Sequence, residues 1–316
     1  MNLTSQYIVN PKSGYAYSTS LASYNSMRPS NAKLRLGDDR QVLNDKKKYK
    51  IFRVDNIEFK MIRCPRGTFT MMDDDRTGNN PKRVVSINKP FLLGETEVTQ
   101  ELFEKVMGFN LSIFRGKKYP NPNKRPVENV TWCDAVMFCN KLSEKLQKKP
   151  YYNISNIEKT DRQRAIVNNM YAHLPLPTIT KAIVTINDHA NGFRLPLEKE
   201  WEFAAKAGTN NQWAGTDAPD KVGDVGWFEG NSEIGGIKKT HPIKGKIPNE
   251  WGFYDMSGNV FEWCWDQEKY HAVHVVIRGG SYLNEVLALN NNHRYTALPN
   301  THGDNAGFRV SASLFN

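Results

Sequence analysis

With 316 residues, 39% of them hydrophobic and 24% charged, the chain can bury a large core, and its composition excludes a collagenous or wholly disordered polymer. Lys and Arg outnumber Asp and Glu by 43 to 33, but the excess is diffuse. Its densest run is Lys46, Lys47, Lys48 and Lys50, and no basic stripe interleaved with aromatics argues for a nucleic-acid partner.

Residues 1–50 are polar and aperiodic and read as an N-terminal extension, leaving 51–316 as the folded domain. From Ile51 to Met71 the segments IFRV, FKMIRC and GTFTMM carry the alternation and the β-branched and aromatic residues of strands. Glu97 to Met107 reads as a helix with Thr99 near its start and Gly108 as its stop. Thr131 followed by Asp134 starts a second helix, whose apolar stripe runs from Trp132 to Leu146. Residues 148–191 form a polar insertion with mixed signals, and the periodicity does not place it. Glu198 to Ala207 is a third, short helix ended by Gly208. Four strand-like segments follow, GFYDM, GNVFEWCWD, HAVHVVIRGGSY and GFRVSAS. Helices early and short strands late, separated by glycine turns, predict an α+β fold.

Several kinds of chemistry are absent from the pattern. Cys64, Cys133, Cys139 and Cys264 show no CxxC pair and no metal-type spacing with His, so buried free thiols are expected. Cys133 and Cys139 lie on one helix at a separation that does not bring them together. His271 and His274 fall on opposite faces of a β-type segment, which argues against a shared metal. No nucleophile elbow, P-loop or GxGxxG opens a helix. No apolar run approaches the ~18 residues of a spanning helix, so no membrane span is expected.

Five strings in order resemble the formylglycine-generating-enzyme type of the C-type lectin fold: GETEVTQELFEKVM, RPVENVTWCDAVMFCNKLS, FRLPLEKEWEFAAKAG, NEWGFYDMSGNVFEWCWD, and VIRGGSY with GFRV. The resemblance covers about residues 58–316. It implies short strands, few helices and much irregular structure pinned by buried Trp and Arg. The active enzymes of that family use a cysteine pair shortly after the GGS turn. Here Gly279-Gly280-Ser281 is followed by Tyr282, Leu283 and Asn284, and no cysteine lies between Arg278 and Arg309. That leaves no thiolate for copper or redox chemistry, so an enzyme is not expected and no cofactor is required. The resemblance also implies a structural calcium site around the GNxxEW motif, mapping onto Asp255, Gly258, Val260 and Glu262, whose oxygens would suit a hard cation.

Residues 282–305 contain six Asn and no Lys, with Arg294 as the sole fixed cation. Flanked by RGGS and GFR, the stretch 278–309 resembles the variable region of diversity-generating retroelement proteins, the treponemal ones in particular. In that family, mutagenesis at template adenines rewrites AAC and AAT codons, which yields Leu, His, Tyr, Thr, Ala, Gly or Asp but never Lys. Glu285 departs from this rule. The resemblance implies a contact surface at Leu283, Leu287, Tyr295, Thr296, Ala297, Leu298, Thr301, His302, Gly303 and Asp304, followed by Asn284, Ala288, Asn292 and His293. Arg278, Arg294, Phe308 and Arg309 read as frame, and Val286 and Leu289 as buried. The implied partner is a protein ligand on other cells, with display at the cell surface as an exported lipoprotein; the chain is expected to be a monomer. The competing readings are an oxidoreductase of the same fold with an altered site and an adhesin with an invariant surface. Exposed Leu and Tyr beside small polar groups suit recognition of either sort.

Overall fold

The computed structural model describes residues 48–72, 82–160, 163–167, 170–174, 178–187, 189–268 and 273–314. Nearly all of the expected N-terminal extension, and His271, lie outside these residues.

The first strands are β1 (Tyr49–Val54), β2 (Ile57–Cys64), β3 (Gly67–Met72), β4 (Lys82–Ile87) and β5 (Phe91–Gly94). Helix α1 (Gln100–Met107) follows. Thr99 caps it by accepting from Leu102 N, and Gly108 closes it in the left-handed region at φ 86°. Glu97 and Val98, expected inside this helix, precede its cap and serve the core instead. Helix α2 (Trp132–Lys145) opens on the capping box read from the sequence: Asp134 N donates to Thr131 Oγ1 at 3.0 Å and Thr131 N to Asp134 Oδ2 at 3.1 Å. All four cysteines are buried and free.

The insertion that periodicity did not place is a long β-hairpin. Strand β6 (Tyr152–Thr160) pairs antiparallel with β9 (Thr178–Ile186), and β7 (Gln163–Val167) pairs with β8 (Met170–Leu174) in the stretch between them. Its base is tied to α2, where Asn140 exchanges two hydrogen bonds with the Tyr152 backbone at 2.7 and 3.0 Å.

Next come β10 (Phe193–Arg194), α3 (Glu198–Lys206), the single-turn α4 (Val222–Val225), and the short pair β11 (Glu233–Ile234) and β12 (Ile237–Lys238). The C-terminal strands are β13 (Phe261–Gln267), β14 (Val275–Arg278), β15 (Tyr295–Ala297), β16 (Ala306–Gly307) and β17 (Ser311–Ser313). GFYDM, expected as a strand, is a turn instead, because Gly252 at φ 91° and Asp255 at φ 56° take the left-handed backbone that breaks extended pairing.

Two sheets organise the domain. One has the order β1-β2-β5-β17-β10, and the other β15-β14-β13-β16. In the second, Glu262 of β13 pairs antiparallel with Arg278 and parallel with Gly307. The main core gathers Phe103, Phe138 and Phe308, whose rings lie within 6.4 Å of one another, together with Trp132, Trp263 and Leu142. A second apolar cluster, built on Trp201, Phe203 and Phe69, packs α3 against β3 and β4. The α+β expectation, with few helices and many short strands, is met.

Candidate functional site

The segment from Arg278 to Arg309 leaves the second sheet at β14, rejoins its edge as β15 and ends beyond β16, and three arginines hold it from below. Arg278, wholly buried, donates from Nη2 to Asn291 O at 2.9 Å and from Nη1 to His293 O at 2.8 Å and Asn292 O at 3.3 Å. Its charge is matched by Glu202 of α3. Arg294 donates to Glu198 Oε1 and to Glu268 Oε2, each at 2.9 Å. Arg309 forms a bidentate pair with Glu262 at 2.6 and 2.7 Å and donates to Gly94 O and Tyr254 O, both at 3.0 Å. The planar guanidinium has five donors, so one side chain can fix several loop carbonyls at once. The expectation that Arg278, Arg294 and Arg309 are frame holds.

Glycines set the entry. At Gly280, φ is 71° and an added Cβ would lie 2.9 Å from Ala288 O, so the GGS turn has no room for a side chain against the following helical turn. That turn, a 3-10 helix over Val286–Leu289, buries Leu289 and half-buries Val286 but leaves Leu287 58% exposed. Trp213 Nε1 donates to Val286 O at 2.8 Å and fixes its height.

On this frame the expected contact residues sort into three groups. Leu287 and His293 are exposed. Leu283, Asn284, Ala288, Asn292, Tyr295, Thr296, Ala297, Leu298, Thr301 and His302 are half-buried. Tyr295 sits edge-on to Phe261 at 5.0 Å and stacks with His293 at 5.0 Å, and burial pushes its phenol up to about 12. The Asn284 side chain turns inward, accepting from Ser281 N at 3.0 Å and from Ser281 Oγ at 2.6 Å, so it braces the turn more than it faces solvent.

Gly303 and Asp304 are buried, which corrects the expectation that they are exposed. Gly303 O accepts from Asn129 N at 2.8 Å, so the chain there is drawn down onto the residues preceding α2. Asp304 is 1% exposed and lies close enough to Glu128 and Tyr282 to raise both of their pKa values beyond what burial alone does.

Of the expected calcium set, Glu262 and Asp255 are buried, and Asp255 Oδ1 meets no partner among the described residues. Both Glu262 oxygens are occupied, by Arg309 and by Trp201 Nε1 at 2.8 Å, and Asp255 Oδ2 accepts from Lys244 N at 3.0 Å. Among the described residues, no group of three or more His, Cys, Asp or Glu is arranged to hold a metal ion. A buried acid the sequence reading did not single out, Glu97, lies beside this pair and accepts from Asn259 Nδ2 at 3.1 Å and Val260 N at 3.3 Å. Burial first, and then Asp255 and Glu262, push its pKa well above the usual carboxylate range. Burial likewise raises Asp255 to about 6.

One wall of the surface comes from outside the segment. Phe228, Glu229 and Gly230 face Glu285, Val286 and Leu287 across an open apolar notch of about 430 Å³. Sequence reasoning missed it. The available signal was an aromatic pair, Trp227 and Phe228, between Gly226 and Gly230.

With this geometry established, comparison with known proteins fixes the family. The model of the sulfatase-modifying factor enzyme 1-like domain matches residues 52–314. The chain belongs to that family. Within it, the chain is 40% identical over 194 residues to chaperone protein LppX of Paenibacillus barcinonensis, an alignment spanning 56% of this chain and 62% of that protein. It is 29% identical over 282 residues to the inactive C-alpha-formylglycine-generating enzyme 2 of Bos taurus, covering 80% of this chain and 87% of that one. The solved structure of Treponema denticola variable protein 1 superposes with a TM-score of 0.71 at 32% identity, over 85% of this chain and all of the other. The fold is therefore that of the sulfatase-modifying factor family and of a variable protein. Among the described residues no helix is long and apolar enough to cross a membrane.

Proposed function

We propose that this family member is a ligand-binding protein without catalytic activity. Its contact surface is the 283–302 part of the 278–309 segment, rewritten by retroelement-directed adenine mutagenesis to recognise varied protein ligands. The observation that carries the reading is the division of labour in that segment. Arg278 holds it through the carbonyls of Asn291, Asn292 and His293, groups that every residue type possesses, while Leu287 and His293 point their side chains to solvent. A surface held by its main chain tolerates exchange of its side chains. The likeness to a variable protein and to an inactive enzyme supports both halves of the reading.

The thiols favour a non-catalytic role. Burial pushes Cys133 up to about 12 and holds Cys64, Cys139 and Cys264 well above the ordinary thiol range, so none offers a thiolate at neutral pH. Leu287 opposite Phe228, and His293 stacked on Tyr295, give the mixture of apolar anchor and adaptable polar group that suits protein recognition. In this reading the protein is displayed at the cell surface and meets ligands on other cells.

The decisive test is on the DNA. The reading requires a near-repeat of the coding stretch for 282–305, differing at adenines, close to a reverse transcriptase gene. If neither is there, or if independent alleles are identical over these codons, an invariant adhesin replaces it.

A further inference from the structure

Away from the rewritten positions, cationic side chains crowd one phenol ring. Tyr119, half-buried, has Lys118 Nζ 5.0 Å, Lys239 Nζ 5.5 Å and Arg125 Cζ 5.8 Å from its ring centroid. The backbone enforces the grouping, because Ile243 N donates to Lys124 O at 2.9 Å and so lays the 239–243 stretch against Arg125.

Arg125 is 0% exposed and its Nε donates to Pro120 O at 3.2 Å, yet among the described residues no acceptor meets Nη1 or Nη2. Thr240 Oγ1 is likewise buried with no partner among them, and Lys239 is 7% exposed. The carboxyl that acts on Arg125 is that of Glu128, but its oxygens accept from Ile113 N and Phe114 N at 3.0 and 2.9 Å, and burial pushes its pKa well up. His241, beside them, is held down to about 4 by burial and by Arg125, Lys246 and Lys239, so it is neutral near pH 7. A buried guanidinium with two unmatched donors, set beside a second cation, is unfavourable unless the two share an anion.

We propose that Arg125, Lys239 and Thr240, with Tyr119 at the mouth, form a binding site for a small tetrahedral dianion, phosphate or sulfate. The two unengaged Nη groups of Arg125 present the fork that matches two oxygens of one oxyanion, and Lys239 adds a point charge. Two cations within reach of one ring, Arg125 and Lys239, offer a dianion two positive charges. Exposed Lys117 and Lys118 supply attraction from solution. The site uses none of the rewritten positions, so it stands or falls separately from the proposed ligand surface.

The test is calorimetric titration of the full chain with sodium sulfate and, separately, sodium phosphate, against acetate and chloride at matched ionic strength. Both tetrahedral anions are expected to bind saturably at one site, and Lys239→Met should weaken them by about tenfold or more. In the unaltered chain, saturating sulfate should move the His241 titration, followed by NMR, upward from about 4, because the added negative charge offsets Arg125 and Lys239. Sulfate and phosphate acting no differently from chloride would overturn the site. So would undiminished binding in Lys239→Met, or a His241 midpoint that sulfate leaves unmoved. Should Lys239→Met not fold, Thr240→Val and the His241 titration decide the matter.

Discussion

Within the 278–309 segment, the ends and the middle obey different physics. At the ends, Arg278 and Arg309 are wholly buried, and each is matched by a buried glutamate and by several carbonyls. In the middle, Leu287 and His293 meet solvent, and their neighbours are half-buried. The difference teaches that a loop can be rigid in its path and permissive in its side chains, provided the groups that fix it address the main chain.

Breaking the ends should cost most. Arg309→Met leaves the buried Glu262 without its ion-pair partner and frees the carbonyls of Gly94 and Tyr254, and is expected to destabilise by about 3–5 kcal/mol, read by chemical denaturation. Arg278→Met should cost about 3 kcal/mol by the same argument, and hydrogen exchange of residues 291–293 should accelerate. A loss under ~1 kcal/mol in either variant would remove the idea of an arginine floor.

A pH measurement sharpens the picture of the buried acids next to that floor. Asp255 is raised from 3.8 to about 6 in the fold, so its protonation stabilises the folded state below about pH 4, and that contribution is lost as the pH rises toward 6. Asp255→Asn removes this loss. The variant's advantage over the parent should therefore grow between pH 4 and 7, reaching on the order of 2 kcal/mol, and a pH-independent difference would contradict it. The middle should respond least. Leu287→Ala and His293→Ala are each expected to shift stability by no more than ~0.5 kcal/mol in thermal melts. Gly303 and Asp304 behave as frame, and Asp304→Ala should cost about 1–3 kcal/mol although it lies within the expected contact surface.

How far the sequence could be read follows from the range of the forces involved. The cap at Thr131 and Asp134 and the stop at Gly108 are local, so they were legible. The sorting of Arg278, Arg294 and Arg309 into frame came with the family resemblance, since Arg278 and Arg309 stand in the RGGS and GFR strings that flank the stretch. The hairpin of β6 and β9 was not, since its pairing partners stand up to 34 residues apart, as Tyr152 and Ile186 do, and its register shifts near Glu158 break the alternation. Nor was the burial of Gly303 and Asp304, which depends on Asn129, far away in the chain. Phe228 was missed for the same reason, because only the fold brings it opposite Leu287.

Glu262 pairs with Arg278 on one side and with Gly307 on the other, so both ends of the segment are sewn to one residue of β13. Such a closed base makes the stretch between them an insert whose span is set by its endpoints and not by its contents. The entropy of closing a loop between fixed ends grows only logarithmically, by about 0.6 kcal/mol for each doubling of length. Length changes between these two anchors are therefore cheapest in the turns on either side of β15, which itself pairs with β14 and belongs to the sheet.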